Sequence, residues 1–331
     1  MIPKSCQQFS QPASWQDRGV LRVALFCDGR PGHEKQSRGI LQALAAMVAV
    51  EVVTVDVSAL SPVQRIIQLL ALLSPLPWRG EAYPAADLLL GAGSRSHLAM
   101  LLAKKAHGTP AVVCMSPLAL LRKRFDLCLV PVHDGLAEGG NVFCTLGAPN
   151  CSIDLRRHRD DCGLIALGGV DRRSHSWSSE EMVAMAGELV GRERQVRWTL
   201  TSSPRTPEET ARGLARLAEL HEHVEFFDYR HTARGWIEER YADSATVWVS
   251  ADSVSMVYEA LSAGCRVGLL PVRWESGAAK FRRNEELLLR RGLVLPFARW
   301  QAGDSWKEED HHFNEAQRCA ERILRIWQAN A

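Results

Sequence analysis

The chain has 331 residues, 46% hydrophobic and 24% charged, the proportions of a globular protein with buried cores rather than of a disordered or fibrous one. Its 40 basic and 38 acidic residues leave a net charge of +2, so no general positive field gathers a nucleic-acid backbone, and nucleic acid is not an expected partner. Nine scattered cysteines, odd in number and without C-x-x-C spacing, fit neither a disulfide framework nor a zinc site and read as thiols of a reducing, cytoplasmic compartment.

Residues 1–18 carry Lys4, two prolines and several glutamines without the apolar stretch of a secretory leader, and are expected to form a loose arm. No segment offers roughly eighteen uninterrupted apolar residues, so a membrane-spanning helix is not expected. Val20 to Phe26 then reads as a strand, Cys27 to His33 as a glycine loop, and Gln36 to Val48 as a helix. Strand-like Val50 to Val57 follows. Asp87 to Leu90 leads into a second loop, Gly91-Ala92-Gly93-Ser94, ahead of a helix over Leu98 to His107. Runs at Ala111 to Met115, Asp126 to Pro131 and Asn141 to Thr145 complete a first series of alternating strands and helices, which calls for a parallel sheet.

Between Pro149 and Asp161 the composition turns polar and basic, and Gly163 to Leu167 opens a second series with its own Gly168-Gly169 loop. Helix Glu180 to Val190, strand Gln195 to Thr201, helix Pro207 to His221, strands Val224 to Phe227 and Thr246 to Ser250, helix Ser253 to Ala263 and strand Arg266 to Pro271 follow. The expected fold is α/β: two Rossmann-like doubly wound domains, 19–155 and 160–310, facing across a cleft. A final helix within 311–331, roughly Phe313 to Gln328, follows a polar stretch long enough for it to return to the first domain.

Ligands of open α/β sheets bind beyond the carboxyl ends of the strands, where backbone N–H groups and helix N-termini favour anions. Four loops hold such positions: Asp28 to His33, Gly91 to His97, Ser202 to Pro207 and Ala251 to Ser255. In the first, either His33 or Asp28 suits the role of a base, with Gly29 and Gly32 allowing close backbone approach; the plainer alternative is an Asp28 turn cap and a locally bonded His33. Gly93 and Ser94 complete that side. In the fourth, Ser250, Asp252, Ser253 and Ser255 surround a helix N-terminus suited to a diphosphate. Two turns on, Glu259 can accept two ribose hydroxyls, against an ordinary capped helix with a solvent-facing glutamate. Arg205, beside Ser202, matches a phosphate bidentately, although the same segment also reads as a normal helix start. Lys280, Arg282 and Arg283 form a basic cluster that suits a diphosphate or a wet surface equally. Residues 63–78, with Ile66, Ile67, Leu69, Leu70, Leu72 and Leu73 between Arg65 and Arg79, read either as a buried core helix or as an interfacial one touching the inner membrane.

Four blocks, C-D-G-R-P-G-H-E-K-Q-S-R-G at 27–39, F-D-L-C-L-V-P-V-H-D at 125–134, T-S-S-P-R-T-P at 201–207 and S-A-D-S-V-S-M-V-Y-E-A at 250–260, together resemble the mitochondrial fission Elm family. The resemblance implies the GT-B architecture of glycosyltransferases. It implies a nucleotide-sugar donor on the second domain, held by Glu259, the loop from Ala251 to Ser255 and the glycines Gly168 and Gly169. The acceptor, a cell-envelope glycan or lipid-linked molecule, would lie on the side of the Asp28 to His33 loop. No D-x-D motif is present, so neither metal nor other cofactor is expected. The alternatives are a non-catalytic regulator of a membrane process that retains the fold, and a nucleotide-sugar epimerase.

Overall fold

The structure is a computed structural model that describes residues 19–78, 83–306 and 313–330. The expected arm at 1–18 and Arg79 lie outside the described residues.

The first half alternates as its apolar runs require. Strand β1 (Leu21–Cys27) leads to helix α1 (Pro31–Ala45), β2 (Val50–Asp56), α2 (Pro62–Leu73), β3 (Leu88–Ala92), α3 (His97–His107), β4 (Ala111–Cys114), the one-turn α4 (Ala119–Arg122), β5 (Leu127–Pro131) and β6 (Val142–Thr145). All six strands are parallel, in the order β2-β1-β3-β4-β5-β6. The buried strands β3, β4 and β5 are continuous apolar runs because helices cover both faces of a parallel sheet.

The second half contains β7 (Arg159–Ala166), β8 (His175–Ser176), α5 (Ser179–Arg192), β9 (Arg197–Thr201), α6 (Glu208–Leu220), β10 (Val224–Phe227), α7 (Trp236–Asp243), β11 (Ser244–Ser250) and α8 (Val254–Ser262). Next come β12 (Arg266–Leu270), β13 (Arg273–Trp274), α9 (Ala279–Arg290), β14 (Val294–Pro296), α10 (Phe297–Gln301) and α11 (Glu315–Asn330). Its six-stranded sheet is again parallel, ordered β10-β9-β7-β11-β12-β14, while β8 and β13 form a separate antiparallel pair. Two fully buried indoles, Trp198 and Trp248, fill one face of this sheet.

Helix α11 leaves the second half. Its Cys319, Ala320, Ile323 and Leu324 are fully buried in the core that β1, β3, β4 and α1 form in the first half. Burying one Ile or Leu side chain contributes roughly 1.5–3 kcal/mol, so this single face ties the end of the chain to its beginning.

Helix α2 settles one open alternative. Only Gln68 and Leu72 of its twelve residues are buried, while Val63, Ile66, Ile67, Leu69, Leu70 and Leu73 are 40–64% exposed, so the buried-core reading of 63–78 does not hold. A capping box at Ser61 and Gln64 starts the helix. The ammonium of Lys105, donating to the carbonyls of Ala71 and Ser74, and Arg124, donating to that of Leu72, satisfy its last turn and fix it to the body. Among the described residues no helix is long and apolar enough to cross a membrane.

Candidate functional site

Strand order identifies where each half is built to receive a ligand. In the first sheet the chain goes from β1 to β2 on one side and then to β3 on the other, so the direction reverses between β1 and β3. In the second it reverses between β7 and β11. Adjacent loops diverge at such switch points and leave a crevice at the carboxyl ends of the strands. The Asp28 to His33 loop follows β1, Gly93 to Ser96 follow β3, Gly168-Gly169 follow β7 and Ala251 to Ser253 follow β11.

At the first switch point Asp28 is 2% exposed, and its Oδ2 lies 2.8 Å from His33 Nδ1 while its Oδ1 accepts from the backbone N–H of Arg30 at 3.1 Å. With Asp28 accepting from Nδ1–H, His33 is held in the tautomer whose Nε2 carries the lone pair, and Nε2 has no hydrogen-bond partner among the described residues. Gly93, at φ +81°, makes this fit possible: a Cβ there would run into the His33 imidazole and lie 3.0 Å from Asp28 Oδ2. Gly29, Gly32 and Ser94 lie exposed around the pair. His97, at the start of α3, is 2% exposed with both ring nitrogens unpartnered among the described residues. Burial, helped by the nearby His33, pushes its pKa down to about 4, so it remains a neutral neighbour.

The second cluster is bound mostly to itself. Gly168 N–H donates to Ser250 Oγ at 2.7 Å, and Gly169 N–H donates to Asp252 Oδ2 at 3.0 Å, where Arg205 Nη2 also donates at 2.8 Å. Ser203 and Thr206 donate to the Gly168 carbonyl, and Ser202 Oγ accepts from Tyr229 N–H. A Cβ at Gly168 would collide with the Asp252 carboxylate. The structure therefore corrects the geometry expected of Gly168, Gly169 and Asp252: Gly168 N–H is taken by Ser250 Oγ, and Gly169 N–H and the Asp252 carboxylate face one another rather than outward. Still open is the N-terminus of α8, where Ser253 makes no side-chain cap and Ser255 is exposed.

Glu259 also departs from the solvent-facing alternative, being 6% exposed. Its Oε1 lies 2.9 Å from Lys35 Nζ, and the same ammonium lies 2.9 Å from Glu238 Oε1 of α7. Lys35 comes from α1, two residues beyond His33, so the helix carrying the dyad also spans the gap to the second half. Burial holds the Glu259 carboxyl above its usual range in spite of Lys35. Burial opposes the charge on Lys35, yet the two carboxylates hold its pKa above the ordinary lysine value. Sequence reasoning missed Lys35 and Glu238. Lys35 stood within the first block, two places from His33, whereas nothing local marks Glu238.

The basic cluster on the first turn of α9 divides. Lys280 Nζ sits 2.6 Å from Asp134 Oδ1 and Arg283 donates to the carbonyl of His133, so both bind the first half, while Arg282 donates to the carbonyls of Glu275 and Ser276. A small recess beside Asp28 and His33 is lined by first-half residues, among them Glu34, Ser37 and Ala92, and does not reach Glu259. The four loops thus form two clusters, one per half, with Lys35 of α1 reaching Glu259 of α8 between them.

Residues 31–327 match the family described as Mitochondrial fission ELM1. The chain belongs to that family. No curated protein sequence matches this ELM1-family chain. Among solved structures it is similar to a putative UDP-N-acetylglucosamine 2-epimerase from Listeria monocytogenes, with TM-score 0.59 and 14% identity over 94% of this chain and 97% of that one. It is similar also to the UDP-GlcNAc 2-epimerase from Neisseria meningitidis bound to UDP-GlcNAc, with TM-score 0.52 and 12% identity over 94% and 100%. The glycosyltransferase of kitacinnamycin gives TM-score 0.53 and 13% identity over 93% and 99%. At these identities the likeness shows the fold, two parallel six-stranded sheets in the GT-B arrangement, and it extends over 93–94% of the ELM1-family chain.

Proposed function

We propose that this chain is a metal-independent glycosyltransferase that moves a sugar from a nucleotide-sugar donor on its second half to a hydroxyl presented at its first. The observation that carries this reading is the Asp28–His33 pair at a switch point, with Nε2 free to take a proton. A positioned imidazole removing the acceptor proton accelerates such a step by about 10²–10⁴-fold. On the donor side the uncapped N-terminus of α8 and the hydroxyls of Ser253 and Ser255 would receive the phosphates, and Glu259, released from Lys35, the ribose. Lys35, freed in that exchange, would supply positive charge to the departing nucleotide.

The acceptor class follows from α2. Its exposed Ile66, Ile67, Leu70 and Leu73, with Leu120 of α4 92% exposed and Arg65, Arg122 and Lys123 nearby in sequence, suit an amphipathic contact with an anionic bilayer. A lipid-linked acceptor and peripheral attachment to the cytoplasmic face of the inner membrane belong to the same proposal.

One observation favours a second reading. Lys35 already joins Glu259 and Glu238 across the two halves, as in a scaffold that keeps the architecture without turnover and regulates a membrane process. Calorimetric titration with UDP-, GDP-, ADP- and CMP-linked compounds separates the two. Binding of one class, lost in Glu259→Ala, supports the transferase, and silence across the set supports the scaffold. Conversion of a nucleotide sugar with no acceptor present would instead indicate an epimerase.

A further inference from the structure

A second recess among the described residues lies away from the switch points. A depression of about 900 Å³ opens at the amino ends of β12 and β14, on the opposite side of the second sheet from the candidate site. It is walled by both segments through which the chain passes between its halves, at Ile153 to Arg156 and at Phe313 and Asn314, and by the first turns of α11.

Among the described residues its lining holds six arginines, Arg156, Arg266, Arg290, Arg291, Arg299 and Arg318, against two acidic residues, Asp154 and Glu321, in a chain whose net charge is only +2. Three of the six are neutralised: Arg266 by Asp160, Arg299 by Asp304 and Arg318 by Glu315. Arg290 donates to the Glu286 carbonyl, the ordinary role of an arginine in the last turn of a helix. That role does not account for Arg156 and Arg291. They come from different segments, the inter-half crossing and the end of α9, and neither side chain has a hydrogen-bond or ion-pair partner among the described residues. Between the charges Leu261, Leu289 and Leu293 supply apolar wall. The volume is that of a cofactor-sized ligand site.

We propose that this cavity binds a small multiply charged phosphate ligand, with Arg156 and Arg291 as its principal anion contacts. Guanidinium groups present planar paired donors that match phosphate oxygens, and two of them on separate segments can hold a diphosphate between them. The apolar wall leaves room for the nucleoside part of a nucleotide beside the phosphates. Because the walls include both crossings, an occupant bridges the segments about which the two halves would move. The inference rests on none of the residues assigned to transfer.

The test is calorimetry of the full chain with sodium pyrophosphate and, separately, ADP, at low and moderate salt. The variants are Arg156→Gln/Arg291→Gln and, at the open start of α8, Ser255→Asp, all at exposed positions, with melting temperature as the check on folding. The expected result is pyrophosphate binding that weakens with salt, falls by at least about tenfold in the double arginine variant and is unchanged in Ser255→Asp. Tighter binding of ADP than of pyrophosphate, by the same arginine-dependent route, assigns the apolar wall to the nucleoside, and equal binding leaves the site to the phosphates alone. No binding of either probe, or binding that survives the arginine changes, overturns the proposal. So does binding lost with Ser255→Asp, whose added carboxylate repels an anion at α8; that loss would place the anion there without deciding whether transfer occurs.

Discussion

The two loop clusters occupy equivalent places in equivalent sheets, yet they use their polar groups in opposite ways. At the first switch point Asp28 and Gly93 constrain one imidazole and leave its outer nitrogen free. At the second, Ser250, Asp252, Ser203 and Arg205 satisfy the Gly168-Gly169 loop from within, and only the start of α8 remains open. Equivalent topology therefore supplies equivalent crevices, while side chains decide whether a crevice holds a reactive group or a rigid platform. Chemistry is expected at the first and binding at the second.

The sharpest way to break this comparison is His33→Ala. Sugar transfer should fall by about 10²–10⁴-fold, and the melting temperature is measured alongside because the imidazole is only 16% exposed and packs on Asp28 and Gly93. A full-rate variant would remove the first cluster from the chemistry. Asp28→Asn should produce a loss of the same kind by disturbing the tautomer, read as a fall in turnover with the melting temperature measured alongside.

Next in size is the bridge between clusters. Lys35→Met leaves Glu259 buried without its cation, and denaturant unfolding should register a loss of about 3–5 kcal/mol, largely restored by adding Glu259→Gln. If the double variant is no better than the single one, the pair does not hold the halves together. On α11, Ile323→Ala should cost about 2–5 kcal/mol through the cavity it leaves in the first core.

A pH series sharpens the picture of His97. Its folded pKa, about 4, lies below the ordinary value of 6.5. The unfolded chain then binds the extra proton first, so the contribution is complete above pH 6.5 and is lost as pH falls toward 4. Roughly 3 kcal/mol of stability depends on this group. His133, also pushed down to about 4 chiefly by burial, adds a loss in the same window, so the measurement is a difference. His97→Phe should flatten the acid limb relative to the parent, and an unchanged slope would mean that His97 keeps its proton when folded. The smallest effect is expected at Arg205→Gln, about 1 kcal/mol by denaturant titration, since that guanidinium is 41% exposed while Asp252 keeps its Gly169 partner.

Much of this architecture is written in local pattern. Apolar runs separated by glycine loops give the strand-turn-helix repeats, and Val224–Phe227 falls where its bulky apolar residues put it. Helices α7 and α9 are not legible in the sequence: α7 is short, and in α9 a few apolar residues stand among many charged ones. The candidate residues were visible as types in loops, but their duties were not. Asp252 read as a ligand contact and turned inward, because the Gly169 N–H and the Arg205 guanidinium both donate to its carboxylate.

What sequence alone determined is the kind of local unit and the chemical inventory of each loop, since φ/ψ preference, helix starts and apolar period act over a few residues. Strand order, and with it the two switch points, the crossing of α11 to the first core and the meeting of Lys35 with Glu259, depended on the tertiary structure. The contacts of α11 with α1 and of Lys35 with Glu259 join residues more than two hundred positions apart, and only the packing of completed sheets and helices brings such groups together.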